Sequence, residues 1–317
     1  MEYWTVSIGL RVKAAAHSIS FRTGLSVAVA KLQSCARILM YHGVLNRDQH
    51  ILAGQLQYLN RHFRIVPLQR VTAQLEAGNL PKNNEVVLTF DDGLRNNFTV
   101  VYPVLKRLGV PATFFVCPGL IDAGQWLWTH AARRRLSSLG EDDLCAFTSQ
   151  CSGAPKTADA MVEWMKTLSL NERQATEAKI RQATPGFQPT ADDHEAFDLM
   201  DWDDLCSLDA ELITIGSHTA THPILPTLTQ EEISFEIAAS RRQLEEKLGR
   251  PVNYFCYPNG SHHTQSCAAA RQNYDAAVTT ENGLLTQENS ADRYLLPRIP
   301  ATKDGALMAW RMHRPGA

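Results

Sequence analysis

Two adjacent carboxylates, Asp91 and Asp92, directly follow the apolar run VVLTF and precede Gly93. The run has the composition of a buried strand, and the glycine is typical of the turn that ends one. Two anions at the end of a buried strand repel each other and lose hydration, so a positive partner or a proton is expected beside them. A turn with a helix-capping aspartate is the alternative interpretation, and these residues alone do not exclude it.

Two histidines, His218 and His222, lie four residues apart directly after the apolar run ELITIGS. Pro223 disfavours a helical conformation at His222, so we expect the pair in a loop at a strand end rather than on a zincin-type helix. Either histidine alone would more often be an ordinary hydrogen-bonded residue. Together with Asp92 they form a His-His-Asp set with an open position, which suits catalytic zinc and also permits cobalt or nickel. Asp91 would then lie beside the metal as a base.

The composition of the 317-residue chain, 44% hydrophobic and 20% charged, is typical of a soluble globular protein. Its net charge of -2 gives no electrostatic case for nucleic acid or an anionic membrane as a partner. Seven cysteines without a CxxC pair argue against a disulfide framework and favour a reducing compartment. We therefore expect a cytoplasmic protein.

The first 36 residues contain apolar patches that basic residues interrupt. No run is long enough for a transmembrane helix, and no unbroken signal-peptide core is present. The pattern predicts one or two amphipathic helices, which usually pack on their own domain. Weak peripheral attachment at the inner face of the membrane is the alternative.

From Arg37 onward, strand-like and helix-like segments alternate, which predicts an α/β fold with a parallel sheet and right-handed crossovers. For this many units, a closed or nearly closed (β/α) barrel is at least as good an interpretation as an open sheet. Residues 121 to about 199 break the alternation and predict a helical insertion. The expected organisation is an N-terminal helical segment at 1–36 and a barrel at 37–317 that contains the insert. The predicted strands are RILMYHGV, RIVPL, EVVLTF, PATFFVCPG, ELITIGSH, VNYFCYP, AAVTT and RYLLPRI.

The segments TFDDG and HTATH resemble the first two motifs of the polysaccharide deacetylase family, the NodB-like carbohydrate esterases. The segments ILMYHGV, PATFFVCPG, FCYPNG and LPRI are also similar to this family, and the resemblance covers about residues 38–300. Within the family, the sequence is similar to the branch that has a helical insert between the first two motifs. The resemblance implies a distorted (β/α) barrel of about seven units. It also implies a hydrolase that removes N-acetyl groups from an N-acetylated polysaccharide or a lipid-linked sugar precursor.

The resemblance assigns a role to each matching position. Asp91 matches the catalytic base, and the metal ligands match Asp92, His218 and His222. The segment CYPN lies where the family places a backbone oxyanion donor, so the N–H of Asn259 takes that role. A backbone donor does not depend on the side chain, so asparagine is acceptable there.

Three departures from the family pattern affect the expected site. Cys256 replaces the usual arginine that holds the base, and we predict that Arg298 supplies this bidentate contact instead. An ordinary surface ion pair of Arg298 is the alternative interpretation. The family's fourth and fifth motifs, including the histidine that commonly acts as general acid, are absent. His42, at a predicted strand end, could reach the site, and a structural hydrogen-bonded histidine is its alternative.

The missing motifs also keep a second function open, a catalytically silent carbohydrate-binding or scaffold protein on the same barrel. The four residues of the first two motifs argue against it, because adjacent buried anions are costly without a metal.

Overall fold

The computed structural model describes residues 13–33, 35–79, 84–286 and 290–314. Its core is a set of parallel strands in which β1 pairs with both β3 and β8, and so closes a ring of seven. The two-residue β2 pairs only with the start of β3 and lies outside the ring. The strands are β1 (Arg37–Tyr41), β2 (Arg64–Ile65), β3 (Glu85–Phe90), β4 (Ala112–Val116), β5 (Ile213–Ser217), β6 (Tyr254–Cys256), β7 (Ala276–Asn282) and β8 (Leu296–Pro300). The predicted distorted barrel of about seven units is confirmed.

Helices surround this barrel, and α3, α4, α5, α13 and α14 each connect two consecutive strands. A short π-helical stretch, Asn97–Val101, leads directly into α5. The helices are α1 (residues 13–22), α2 (Leu25–Leu32), α3 (Gln49–His62), α4 (Leu68–Glu76), α5 (Tyr102–Leu108), α6 (Pro118–Ala123), α7 (Trp128–Ser137), α8 (Glu141–Ser149), α9 (Ala158–Met165), α10 (Leu170–Ala183), α11 (Ala191–Phe197), α12 (Trp202–Cys206), α13 (Gln230–Leu248), α14 (Thr264–Asn273) and α15 (Gly305–Arg311).

The stretch predicted as a helical insertion folds into α7–α11, and the helices α7–α10 enclose a small apolar core of their own. That core includes Ile224, from the loop after β5, so the insert packs against the segment that carries the two histidines. At its end, an isolated antiparallel bridge joins Leu199 to Leu94, just after the two carboxylates. The insert therefore contacts both loops from which the site is built.

The N-terminal segment forms α1 and α2, and its residues 1–12 and 34 lie outside the described residues. Gly24, in the left-handed conformation, turns the chain between the two helices. Arg37, which opens β1 and is fully buried, donates to the carbonyl oxygen of Ala30 at 2.7 Å. This contact holds the end of α2 at the amino end of the barrel. Among the described helices, none is both long and apolar enough to cross a bilayer.

The positions of β4, β5 and β6 depend on the missing side chain of Gly216. A Cβ at this position would lie 2.5 Å from two ring carbons of the fully buried Phe115 and 3.0 Å from the carbonyl oxygen of Tyr254. Because Gly216 is two residues before His218, this close packing also fixes where the histidine loop begins.

We expect Gly216→Ala to lower the free energy of unfolding by about 1–3 kcal/mol, the usual cost of overpacking a core. Gly54→Ala, in α3, is the control, since an added Cβ meets nothing within 4 Å there. It should raise the free energy of unfolding by about 0.5–1 kcal/mol through helix propensity. Urea denaturation followed by circular dichroism measures both changes, and equal stabilities of the two variants would contradict the prediction.

Candidate active site

Four non-glycine residues among the described ones have a positive φ, and all four lie in loops at the carboxyl ends of the barrel strands. They are Asp92 (φ 74), Thr219 (φ 66), His222 (φ 58) and Asn259 (φ 57). The left-handed conformation costs a side-chain-bearing residue about 1–2 kcal/mol, so it persists only where surrounding contacts enforce it. The backbone strain of the barrel is therefore concentrated at the end where α/β barrels assemble active sites.

Asp92, His218 and His222 converge at this end, and all three are buried. The Oδ1 atom of Asp92 lies 3.5 Å from the Nε2 atom of each histidine. Donors held at about 2.0–2.2 Å by one tetrahedral ion lie roughly 3.3–3.6 Å apart. The three side chains thus have the donor types and the spacing that a single metal ion needs.

Hydrogen bonds orient both histidines. The ring N–H of His218 at Nδ1 donates to the carbonyl oxygen of Cys256 at 2.7 Å, which turns the Nε2 atom towards Asp92. The backbone N–H of His222 donates to the hydroxyl of Thr219 at 3.0 Å. Its carbonyl oxygen accepts from the indole N–H of Trp128 in the insert, also at 3.0 Å. The insert thus helps to fix the position of one predicted ligand.

The three residues shift one another's pKa values. Burial would raise the pKa of Asp92, but a hydrogen bond from His218 and the charge of His222 lower it instead. Burial and the charge of His218 lower the pKa of His222 to about 3, so its imidazole is neutral, which is the form that binds metals. Burial lowers the pKa of His218, but Cys256 and Asp92 together raise it well above its usual value.

Asp91 lies outside this set and makes a bidentate contact with Arg298. Each terminal nitrogen of the guanidinium donates to one carboxylate oxygen at 2.7 Å. Two further N–H groups of Arg298 donate to the carbonyl oxygen of Thr279 at 2.7 Å and to the hydroxyl of Thr89 at 3.0 Å. Burial would raise the pKa of Asp91, but the charge and hydrogen bonds of Arg298 outweigh it and lower the pKa.

Arg298 has no solvent exposure, so its interpretation as a surface ion pair is wrong. Cys256 lies beside this bidentate contact. Its sulfur is 3.2 Å from a guanidinium nitrogen of Arg298 and 3.6 Å from a carboxylate oxygen of Asp91. Burial raises the pKa of Cys256, so it remains a thiol. Its small side chain leaves room for a guanidinium that comes from β8 rather than from position 256.

A second group of potential donors, Asp91, His218 and Cys256, is also close enough to share an ion. Both oxygens of Asp91 already accept from Arg298, and a guanidinium beside the site repels a cation. The cysteine would also have to lose a proton that burial stabilises. The set Asp92, His218 and His222 is therefore the better candidate for a metal site.

Asn259 lies in the loop after β6 and is exposed. Its side-chain oxygen accepts from Lys166, just after α9 in the insert, at 3.2 Å. Its carbonyl oxygen accepts from the hydroxyl of Thr280 at 3.3 Å. These contacts hold the loop from two sides, and the oxyanion role of its N–H stays a prediction.

His42 follows β1 at the same end and is exposed. Within the described ranges its ring makes no hydrogen bond, so the structural interpretation of this histidine has no support. A positive charge on His42 contributes to lowering the pKa of both Asp91 and Asp92. It also lines a cavity of about 380 Å³ between β1, α3 and the end of β8, with Leu45, Ile51, Thr302 and Lys303 among the other lining residues.

His130, in α7, is a residue that the sequence reasoning missed. Its ring packs on Phe197 with the ring centres 4.6 Å apart. Its buried Nδ1 atom has no hydrogen-bond partner among the described residues. Burial lowers the pKa of His130, and the charge of Asp92 opposes this change. No sequence motif surrounds His130, so only the packing of the insert could reveal that it lies near the site.

The family model for polysaccharide deacetylases matches residues 78–276, more than half of the chain. The chain belongs to the polysaccharide deacetylase family. It is therefore a hydrolase that acts on N-acetyl amide bonds of glycans. It is 20% identical over 269 residues to YxkH of Bacillus subtilis (strain 168), whose name assigns it to the same family. That match covers 83% of this chain and 70% of YxkH.

Solved structures share the fold. A Streptococcus pyogenes deacetylase, PplD, matches with a TM-score of 0.56 and 20% identity over 85% of this chain and 93% of PplD. IcaB from Ammonifex degensii matches with a TM-score of 0.55 and 20% identity, over 88% and 98% of the two chains.

We expect Arg298→Ala to lower turnover about tenfold or more at unchanged metal content, because Asp91 loses the group that keeps it ionised and fixes its plane. Arg298→Lys should recover only part of the activity, since an ammonium group carries the charge but cannot reproduce the bidentate contact of a guanidinium. The measurement is the initial rate of acetate release per folded molecule.

Arg70→Ala is the matched control. Arg70 binds the buried carboxylate of Glu85 at 2.6 Å, at the opposite end of β3. Its loss also disturbs a buried carboxylate, but it should leave turnover per folded molecule unchanged. Wild-type turnover in Arg298→Ala would refute the positioning role.

Proposed function

We propose that the protein is a metal-dependent deacetylase that removes N-acetyl groups from β-linked N-acetylhexosamine units of a glycan and releases acetate. The observation that carries the proposal is the separation of two adjacent carboxylates into two environments. Asp91 is fixed by Arg298, whereas Asp92 faces two histidines at 3.5 Å. This division of roles, a base beside a set of metal ligands, is what amide hydrolysis requires.

The residues present fit a divalent ion at Asp92, His218 and His222, and two nitrogen donors with one oxygen favour zinc, with cobalt or nickel as alternatives. When bound, such an ion polarises the amide carbonyl and lowers the pKa of water.

The chain's own residues supply the remaining chemistry. Asp91 accepts the proton of the attacking water, and Arg298 keeps its carboxylate ionised and turned away from the metal ligands. The N–H of Asn259 donates to the oxyanion that develops on the carbonyl. His42, exposed at the carboxyl end of the barrel, donates a proton to the leaving amine.

The substrate we propose is an N-acetylated exopolysaccharide or its lipid-linked precursor. Family membership supports the glycan. The structure of PplD, a deacetylase with the same fold, was solved in complex with acetate, which is the product proposed here. The cavity beside His42 offers room for a sugar unit next to the reacting group. All seven cysteines are free, which supports our proposal of a cytoplasmic location.

For the metal site, we expect about one zinc ion per chain after mild purification, because the described residues offer one such set of ligands. His218→Ala and His222→Ala should each lose most of the bound metal, whereas His42→Ala, a histidine outside the set, should retain it. Elemental analysis after dialysis measures this. Full occupancy in both ligand variants would show that the metal site has been misassigned.

For the base, Asp91→Asn should keep the fold and the metal while lowering acetate release by roughly 10²- to 10⁴-fold, the usual contribution of general base catalysis. Acetate release is measured with N-acetylated oligosaccharides, and metal content is measured on the same samples. Loss of metal together with activity would make Asp91 a ligand. Failure of the metal-loaded wild type to release acetate from any such glycan would favour the silent scaffold.

A further inference from the structure

The N-terminal hairpin, α1 and α2, carries most of the exposed large apolar side chains in the described part of the chain. The exposed fractions are 64% for Ile19, 57% for Leu25 and 83% for Leu32. Phe21, at 39%, also belongs to the hairpin, whereas Phe235, at 62%, is the remaining one and lies on α13. Single exposed apolar residues are common on protein surfaces, but a cluster of them marks an interaction surface.

Three apolar residues of α2 share one side of the helix. Ser26 and Ala30 are buried and face the barrel. Leu25, Val29 and Leu32 follow the spacing i, i+4, i+7, which places them together on the side facing away from the barrel. We call Ile19, Leu25, Val29 and Leu32 the outer face.

The inner side of the hairpin makes contacts between its two helices and with the C-terminal part of the chain. The hydroxyls of Ser20 and Ser26 hydrogen-bond at 2.7 Å and join α1 to α2. The ring of His17 packs on Trp310 with the ring centres 4.8 Å apart. The side chain of Gln33 donates to the carbonyl oxygen of His313 at 3.0 Å. The hairpin is therefore held on the barrel by its inner side, and its outer face has no covering element among the described residues.

The hairpin is also basic. Residues 13–33 contain three exposed cations, Lys13, Arg22 and Lys31, and no acidic residue. None of the three forms an ion pair with a described residue. The whole chain has a net charge of -2, so this segment has the opposite sign to the remainder of the protein. Apolar side chains flanked by exposed cations suit the boundary of an anionic bilayer, which offers both acyl chains and phosphate groups.

We propose that the outer face of the hairpin docks the protein on an anionic phospholipid surface. Ile19, Leu25 and Leu32 would enter the acyl boundary while the cations contact the headgroups. A second copy of the chain fits this surface less well, because a two-fold interface would place the same cations against each other. The proposal is independent of the deacetylase activity.

Docking leaves the active site open. Arg37 fixes the end of α2 at the amino end of β1, whereas Asp91 and Asp92 follow the carboxyl end of the neighbouring β3. A membrane-bound molecule can therefore still receive a glycan at the carboxyl end of the barrel.

The test is co-sedimentation of the full-length protein with vesicles. Wild type should bind vesicles of phosphatidylglycerol mixed with phosphatidylcholine more tightly than vesicles of phosphatidylcholine alone, and added NaCl should weaken the binding. The double variant Leu25→Glu/Leu32→Glu should bind the mixed vesicles at least about tenfold more weakly, because two charges enter the acyl boundary. Phe235→Glu, which adds a charge at an exposed apolar residue elsewhere, should bind like wild type.

Two further measurements keep the result interpretable. The double variant should retain its circular dichroism spectrum and its rate on a soluble N-acetylated oligosaccharide, which shows that the fold and the site are intact. Lys13→Glu, Arg22→Glu and Lys31→Glu combined should abolish the preference for phosphatidylglycerol.

The proposal fails if wild type does not bind the mixed vesicles, if the double variant binds them like wild type, or if phosphatidylglycerol gives no advantage. It also fails if gel filtration shows a dimer that the double variant loses.

Discussion

The arrangement of the site follows from burying two adjacent carboxylates at the end of one strand. Asp91 and Asp92 cannot share one positive partner without repelling each other, so each needs its own. The left-handed backbone at Asp92 turns the two side chains in different directions. One then reaches the guanidinium of Arg298 and the other reaches the two histidines. Each negative charge is balanced locally, which is the condition for keeping ionised groups in a buried site.

The barrel closure makes this separation possible. β1 pairs with β3 on one side and with β8 on the other, so β8 comes within reach of the carboxylates although its residues lie more than 200 positions along the chain. The resemblance implies an arginine at position 256, where this chain has Cys256, and an arginine from β8 fills the space beside Asp91. The carboxylate needs two parallel N–H donors at this place, and a strand other than the expected one supplies them.

The helical insert adds contacts that the barrel alone would not provide. Trp128 binds the backbone of His222, Lys166 binds the side chain of Asn259, and His130 lies near Asp92. The insert thus touches the loops after β5 and β6, which carry a predicted metal ligand and the predicted oxyanion donor. Its own core is continuous with one of these loops, so a change in its packing would be transmitted to the site.

Features that depend on local pattern were predictable from the amino-acid sequence. The alternation of apolar strands with helices predicted the barrel, and Pro223 together with the preceding apolar run predicted that the two histidines lie in a strand-end loop. It also singled out Arg298 as the partner of Asp91, because Cys256 stands where the resemblance implies an arginine and Arg298 lies at the end of a predicted strand.

Features that depend on contacts between distant segments could be seen only in the folded protein. The exclusion of β2 from the ring, the approach of His130 and Lys166, and the direction in which Leu25 and Leu32 point are of this kind. Amphipathic spacing shows that a helix has an apolar side, but it does not show whether that side is covered. On α2 the small residues Ser26 and Ala30 allow close packing on the barrel, and the larger apolar residues therefore face outwards.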